Sequence, residues 1–383
     1  MTHEDLQAIL SAMLQCGEGV SDCLFLNGKP PLVERYGKLQ ELPMEGPDAT
    51  LQPAHLEAMA TLLIGDSPRL RSDLAETGSC DTSFALADVA RFRVNIYRQN
   101  GHTGIAMRKL QSQVPSIESL GLPPIFSEMV KEKFGIIFIT GSTGSGKTTT
   151  LAAMLNEINR TEEVHVVTLE DPIEFVHLPA RAAFSQRELG KDFPDFATGL
   201  RAALRQAPKV ILLGEIRDRD TMEIALSASE TGHLVMSTLH TINAGQSINR
   251  ILGFFTTDEA KQIRERLADT LRYIVSQRLV NKLGGDRLLV TEIMGSSLRT
   301  RETLLYGETE NRTFQEIIEA GGILGWHSFD QSLMRAFEED LISEETALLF
   351  CTHKNKMRRD LEMAKKLRYP VDDEPSGLKM ASF

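Results

Sequence analysis

The segment Gly141-Ser142-Thr143-Gly144-Ser145-Gly146-Lys147-Thr148 most constrains what this chain can fold into. It fits G-x-x-x-x-G-K-[ST], the phosphate-binding loop, which counts only between an apolar strand and a helix. Both flanks are legible. Residues 134–140 form an apolar, β-branched run, and Leu151, Met154, Leu155 and Ile158 then recur at helical spacing. The residue types suit the chemistry. Glycines let the backbone curl so that successive N–H groups face one anion. Lys147 brings a mobile positive charge to the β- and γ-phosphates, and the Thr148 hydroxyl suits a Mg²⁺ ligand. With Thr149 begins a helix whose free N–H groups and dipole face the same anion. Residues 141–149 are therefore the expected nucleotide-binding segment.

A chain of 383 residues predicts two or three domains and a sizeable core. No apolar run reaches the ~18 residues of a membrane span. The start, Met1-Thr2-His3-Glu4-Asp5, is acidic and lacks a signal-peptide pattern. Cys16, Cys23, Cys80 and Cys351 are scattered, without a C-x-x-C pair. That usage predicts reduced thiols in a cytoplasmic protein, neither a disulfide frame nor a zinc site. A net charge of −11 argues against broad nucleic-acid binding, so no nucleic-acid partner is expected.

The chain in order predicts an α+β unit followed by an α/β unit. Residues 2–14 read as an amphipathic helix opened by a Thr2/Asp5 capping box. Short strands are expected over 23–26, 31–36, 82–86, 90–97 and 104–110, with a broken helix over 54–75. Residues 112–124 hold Pro115, Pro123 and Pro124 among serines and read as a linker. From residue 134 apolar runs at 164–169, 210–214 and 234–239 alternate with helical patterns at 196–204, 221–229 and 260–279. That alternation argues for a mostly parallel, doubly wound sheet. Helices are expected from 307 to 367, the last of them basic, and a frayed tail over 368–383.

Three further stretches bear on chemistry. Lys209 to Glu215 is an apolar strand ending in an acid, where a second phosphate-site carboxylate would stand. Taken alone it reads equally as an ordinary solvated strand end. Residues 166–175 end a strand with Glu170, Asp171 and Glu174, acids that repel unless a cation or phosphate site organises them. A charged surface turn at Asp171-Pro172 is the plainer alternative. His233 and His240 bracket residues 234–239, and a histidine at a strand end is more often structural than catalytic.

These segments, TLEDPIEF, ILLGEIRD and TGHLVMSTLHT with the phosphate loop, resemble the secretion ATPase superfamily in order and spacing. They look most like its type IV pilus retraction branch, the PilT/PilU group. Arg91-Phe92-Arg93-Val94-Asn95 resembles that family's RFRVN strand. The resemblance covers residues 20–349 and implies a PAS-like N-terminal α+β domain (1–111), a linker (112–124) and a RecA-like P-loop ATPase domain with C-terminal helices (125–367). It implies ATP and Mg²⁺ as cofactors. Glu174 would be the general base. Glu215 would hold the Mg²⁺ water shell, and His240 would sense the γ-phosphate with His233 in support. Arg91 and Arg93, and less directly Arg108, match N-terminal arginines that reach the nucleotide. Implied partners are a homo-hexamer, the type IV pilus inner-membrane platform and a paralogous pilus ATPase, with the protein peripheral at the inner membrane. Ser297-Leu298-Arg299-Thr300-Arg301-Glu302 departs from the AIRNL-like stretch of the PilT type, and the C-terminal part looks closer to PilU. An accessory, PilU-like nucleotide-binding partner stays open beside the retraction motor, and a nucleic-acid translocase stands behind both.

Overall fold

The computed structural model describes residues 2–43, 50–87, 89–111 and 113–368; of the tail expected over 368–383, residues 369–383 lie outside the described residues. In chain order the first elements are α1 (His3–Gln15), β1 (Val20–Phe25), β2 (Leu32–Arg35), β3 (Lys38–Glu41), α2 (Pro53–Ile64), α3 (Pro68–Glu76), β4 (Ser79–Leu86), β5 (Ala90–Gln99) and β6 (His102–Lys109). Then come α4 (Ile125–Met129), β7 (Gly135–Gly141), α5 (Lys147–Thr161), β8 (His165–Glu170), β9 (Ala183–Glu188), α6 (Phe196–Ala203), β10 (Val210–Leu213), α7 (Arg219–Glu230), β11 (Leu234–Leu239) and α8 (Ala244–Leu252). The last are α9 (Thr257–Thr270), β12 (Leu271–Asn281), β13 (Arg287–Gly295), α10 (Leu298–Tyr306), α11 (Phe314–Ala320), α12 (Phe329–Glu338), α13 (Glu344–Phe350) and α14 (Lys354–Arg368). The chain divides into two compact units, Met1–Ser116 with Leu155–Gly214, and Ile117–Met154 with Glu215–Phe383.

In the first unit, α1 opens with the expected box: Asp5 N–H donates to Thr2 Oγ1 at 3.2 Å and Thr2 N–H to Asp5 Oδ2 at 2.6 Å. Its Leu6, Leu10 and Met13 are fully buried, one helical face as their spacing requires. They pack with Phe25, Phe92, Val94, Ile96 and Met107 of a six-stranded sheet ordered β3-β2-β1-β6-β5-β4. Every pairing in that sheet is antiparallel. Because strand side chains alternate, burial of Phe92 and Val94 puts Arg91 and Arg93 on the opposite face. The same unit holds β10, β8 and β9 side by side and parallel. Strands β8 and β10 are buried almost throughout, as parallel strands covered on both faces are. Strand β9 has no apolar run and was not foreseen. Ser83 Oγ of β4 donates to Glu188 Oε1 of β9 at 2.8 Å, and that carboxylate is 5 % exposed.

In the second unit β7 is wholly buried and lies between β11 and β12, both parallel to it, with β13 antiparallel beyond β12. Here one expectation is overturned. Residues 260–279 do not form one helix: α9 ends at Thr270 and Leu271 begins a strand. Leu271, Ile274 and Val275 sit at spacings a helix also satisfies, so periodicity could not separate the two. Pairing to β7 on one side and to β13 on the other decides it.

The C-terminal helices pack Phe329, Leu333 and Phe337 of α12 and Ala347 of α13 against Val280 and Val290. Helix α14 is basic, as read, yet its Met357, Leu361 and Ala364 belong to that core. Asp330 accepts the N–H groups of Thr352 (2.6 Å) and His353 (3.0 Å) just before the helix. Among the described residues, no helix is long and apolar enough to cross a membrane.

Candidate nucleotide site

The second unit builds the phosphate loop from a strand end. In parallel register Leu239 lies beside Thr140 and Gln277 beside Gly141, so β7 and β11 reach the loop at their carboxyl ends and β12 runs past it. Gly141 has φ +147°, and a Cβ there would meet Ser145 Oγ at 2.5 Å and the Gln277 carbonyl at 2.6 Å. Only glycine fits that conformation and that approach. Gly144, at φ +79°, would direct a Cβ into open space, leaving a bare backbone face.

Lys147 is 9 % exposed and its Nζ donates to the carbonyls of Gly141 and Ser142, both at 2.9 Å. It is folded over the loop itself. Ser145 Oγ is buried without a hydrogen-bond partner, and so is Gln277 Oε1, whose Nε2 donates to Thr150 Oγ1 at 2.8 Å. A buried polar atom left unpaired costs about 1–3 kcal/mol. The unpaired Ser145 hydroxyl, the bare glycine face, the lysine and the start of α5 fit a nucleotide polyphosphate. Thr148 is half-buried in the first turn of α5. The fit to Mg²⁺ is that of one hydroxyl plus phosphate oxygens, since this ion keeps few protein ligands beside its waters.

Beyond the loop, His240 follows β11 directly and its Nε2 lies 3.4 Å from Glu215 Oε2. Glu215 also pairs with Arg217. The Ile216 N–H donates to the Thr238 carbonyl at 3.3 Å, which draws the Glu215 segment alongside β11. The structure therefore brings Glu215 and His240 together. It does not bring His233 to them. His233 precedes β11, and the strand's six residues span about 20 Å. Its Nδ1 lies 3.0 Å from the Ala228 carbonyl and 3.3 Å from Thr231 Oγ1, where it finishes α7. Gln277 and Thr150 were missed by the sequence reading, which had put Gln277 in a helix; the β-branched cluster after Thr270 was the available signal.

The first unit holds the acids of residues 170–174 and the arginines. Glu170 ends β8 and is 7 % exposed. It accepts from Thr168 Oγ1 at 2.6 Å and from Gln186 Nε2 at 3.3 Å. Gln186 also donates to the Phe175 carbonyl at 2.8 Å and accepts the His177 N–H at 2.8 Å, so one amide fixes the loop just after Glu174. Glu174 itself is half-buried. On β5, Arg93 is exposed, opposite Ser83 and Arg108, and Arg108 Nε donates to Asp22 at 2.9 Å. Arg91 is partly buried, and its Nη1 has no hydrogen-bond partner.

Burial pushes the Glu170 carboxyl up from 4.5 to about 7, against the opposing pull of its Thr168 and Gln186 hydrogen bonds. A folded-state value above the unfolded one means that the protonated form favours folding. That contribution is complete below the unfolded value and is lost as pH rises through about 7. A shift of this size is worth about 3 kcal/mol. The chain is expected to lose that much stability relative to Glu170→Gln between pH 4.5 and 8. Urea unfolding of both proteins at the two ends checks it, and a gap that does not change with pH rejects it.

Strand, glycine-rich loop and helix in this order, on a parallel sheet, define a P-loop protein. A family model described as type II/IV secretion system protein matches residues 80–302. The type IV pilus retraction ATPase PilT of Pseudomonas aeruginosa is 38% identical over 330 residues, which cover 86% of this chain and 94% of that protein. The type IV pilus ATPase PilU of the same organism is 32% identical over 356 residues, covering 92% and 90%. A crystal structure of the pilus retraction motor PilT with bound ADP superposes with a TM-score of 0.81 at 35% identity, covering 93% of this chain and 98% of that one. The chain belongs to the type II/IV secretion system protein family, and within it to the PilT-type ATPases.

Proposed function

We propose that this chain is a Mg²⁺-dependent ATP hydrolase that works as a homo-hexamer to power type IV pilus retraction. One observation carries the reading: the phosphate loop, Glu215 and His240 converge at the carboxyl ends of neighbouring strands, where charge develops on a transferring phosphoryl group. The relatives named for retraction, and the ADP-bound motor structure, support it.

In this reading residues 1–111 form a PAS-like domain, 112–124 a linker and 125–367 the RecA-like ATPase domain. Residues 141–149 cradle the phosphates, and Lys147 balances their charge. Thr148 and the water shell held by Glu215 would hold Mg²⁺, which supplies charge neutralisation at the phosphates. Glu174 accepts the proton of the attacking water, and His240 reads the terminal phosphate. Arg91, whose guanidinium has an unpaired nitrogen, and Arg93 on the same face serve a site completed within the ring. The protein works on the cytoplasmic side, held at the inner membrane by the pilus platform. The second reading, an accessory partner of a retraction motor, is favoured by PilU aligning over more of this chain than PilT does.

Deleting the gene is expected to leave pili on the surface and abolish twitching. Loss of surface pili overturns retraction in favour of assembly. Unchanged twitching that falls only when a second pilus ATPase is also removed favours the accessory reading.

A further inference from the structure

Strand β13 reads Arg287-Leu-Leu-Val-Thr-Glu-Ile-Met-Gly295, with a glutamate in its buried half. Glu292 is 3 % exposed. A lone carboxylate in such a place is costly unless something nearby needs its charge. Two groups do. The N–H of Ala244 donates to Glu292 Oε1 at 3.0 Å. Ala244 is the first residue of α8, and so carries one of the helix N–H groups left without an intrahelical acceptor. The other group is Arg278, whose charge opposes the upward push that burial gives the Glu292 carboxyl. Ser276 lies opposite Glu292 across the β12–β13 pair, and Arg278, two residues on, shares its face. The Arg278 guanidinium covers the Phe329 ring at 3.7 Å and donates to the Phe350 carbonyl at 2.6 Å.

Ala244 stands four residues after His240, and the turn between them is otherwise held to its own helix. Asn243 Oδ1 accepts the Gln246 N–H at 2.8 Å, the Ser247 hydroxyl donates to the Asn243 carbonyl at 2.8 Å, and Thr241 Oγ1 lies 2.6 Å from Ser247 Oγ. Those bonds make turn and helix one piece. The Glu292 bond fastens that piece to the sheet, and Arg278, on the neighbouring strand, reaches α12 and α13.

We propose that Glu292 is a positioning residue for hydrolysis: through Ala244 it fixes the turn that places His240 against Glu215. This rests on the reading that His240 meets the nucleotide.

The full-length assembled protein tests it through ATP turnover and nucleotide affinity measured together. Glu292→Ala is expected to lower kcat about tenfold, with nucleotide affinity changed by no more than about twofold, because the lost bond acts on geometry and not on the phosphate loop. Glu292→Gln keeps an acceptor for Ala244 and should stay within about threefold of the parent. Should Glu292→Ala fail to fold, Ala244→Pro removes the donor at a helix position where proline is accommodated, with the same tenfold loss expected. The double variant His240→Ala/Glu292→Ala should be no slower than His240→Ala alone, since residues acting as one unit are not additive. Parental kcat in Glu292→Ala or Ala244→Pro overturns the proposal. So does an additive double variant, which leaves His240 in its own role. A parental rate in His240→Ala instead removes His240 from the nucleotide site, and the route through it as well.

Discussion

Lys147→Ala is expected to hydrolyse ATP about 10³-fold more slowly than the parent chain, with weakened nucleotide binding. The lysine Nζ donates to the carbonyls of Gly141 and Ser142, and both belong to the loop it crosses. Its charge is therefore held inside the curl of the loop. Charge that grows on a transferring phosphoryl group needs a cation already in place, because a preorganised group costs no reorganisation as the reaction proceeds. Alanine removes the cation and leaves two carbonyls facing the phosphates. Far-UV circular dichroism should be unchanged, since the core of α5 rests on Ala153, Met154 and Leu155. Steady-state phosphate release beside nucleotide titration is the measurement. A rate within tenfold of the parent would mean that another cation does this work.

Glu174→Gln should bind nucleotide nearly as the parent does and lose about 10²–10⁴ in turnover, the range of a general base. Glutamine keeps the volume of the side chain and removes the proton acceptor. The loop around it should stay in place, because Gln186 grips the backbone at Phe175 and His177. Glu170 is the internal control. It is buried, so it lacks the exposure of a base that meets water. Glu170→Gln should change stability with pH more than it changes turnover. If Glu174→Gln keeps the parental rate while Glu170→Gln is slow, the base has been assigned to the wrong end of the turn.

The basic helix α14 shows how sequence and fold share an explanation. Its charge run marks a solvated basic surface, while Met357, Leu361 and Ala364 at helical spacing mark one face that can pack. Three of its residues, Met357, Leu361 and Ala364, lie in the C-terminal core, so truncation at residue 354 would also remove packing. Lys356 pairs with Glu319 at 3.2 Å and Lys365 pairs with Glu344. Exposed pairs of this kind contribute about 1 kcal/mol or less, so they orient the helix more than they hold it.

What the sequence determined by itself is local. The phosphate loop needs a strand, glycines at fixed places and a helix in direct succession, and each left its own periodic or compositional mark. The Thr2/Asp5 cap, strands β1, β2, β4, β5 and β6 of the first unit and the apolar strands β7, β8, β10 and β11 were legible for the same reason; the exposed strand β3 was not. Tertiary structure alone decided the rest. Leu271 to Asn281 satisfies a helical pattern, and pairing with β7 and β13 makes it a strand. That pairing delivers Gln277 to the loop. His233 and His240 look alike in sequence, each at one end of an apolar run. The direction of β11 beside β7 sets one against Glu215 and leaves the other finishing α7. Glu292 could not be read at all, because its partner Ala244 lies 48 residues away. Spacing along a chain encodes neighbours within a turn or a strand; which distant groups meet depends on register and burial, and these exist only once the sheet has formed.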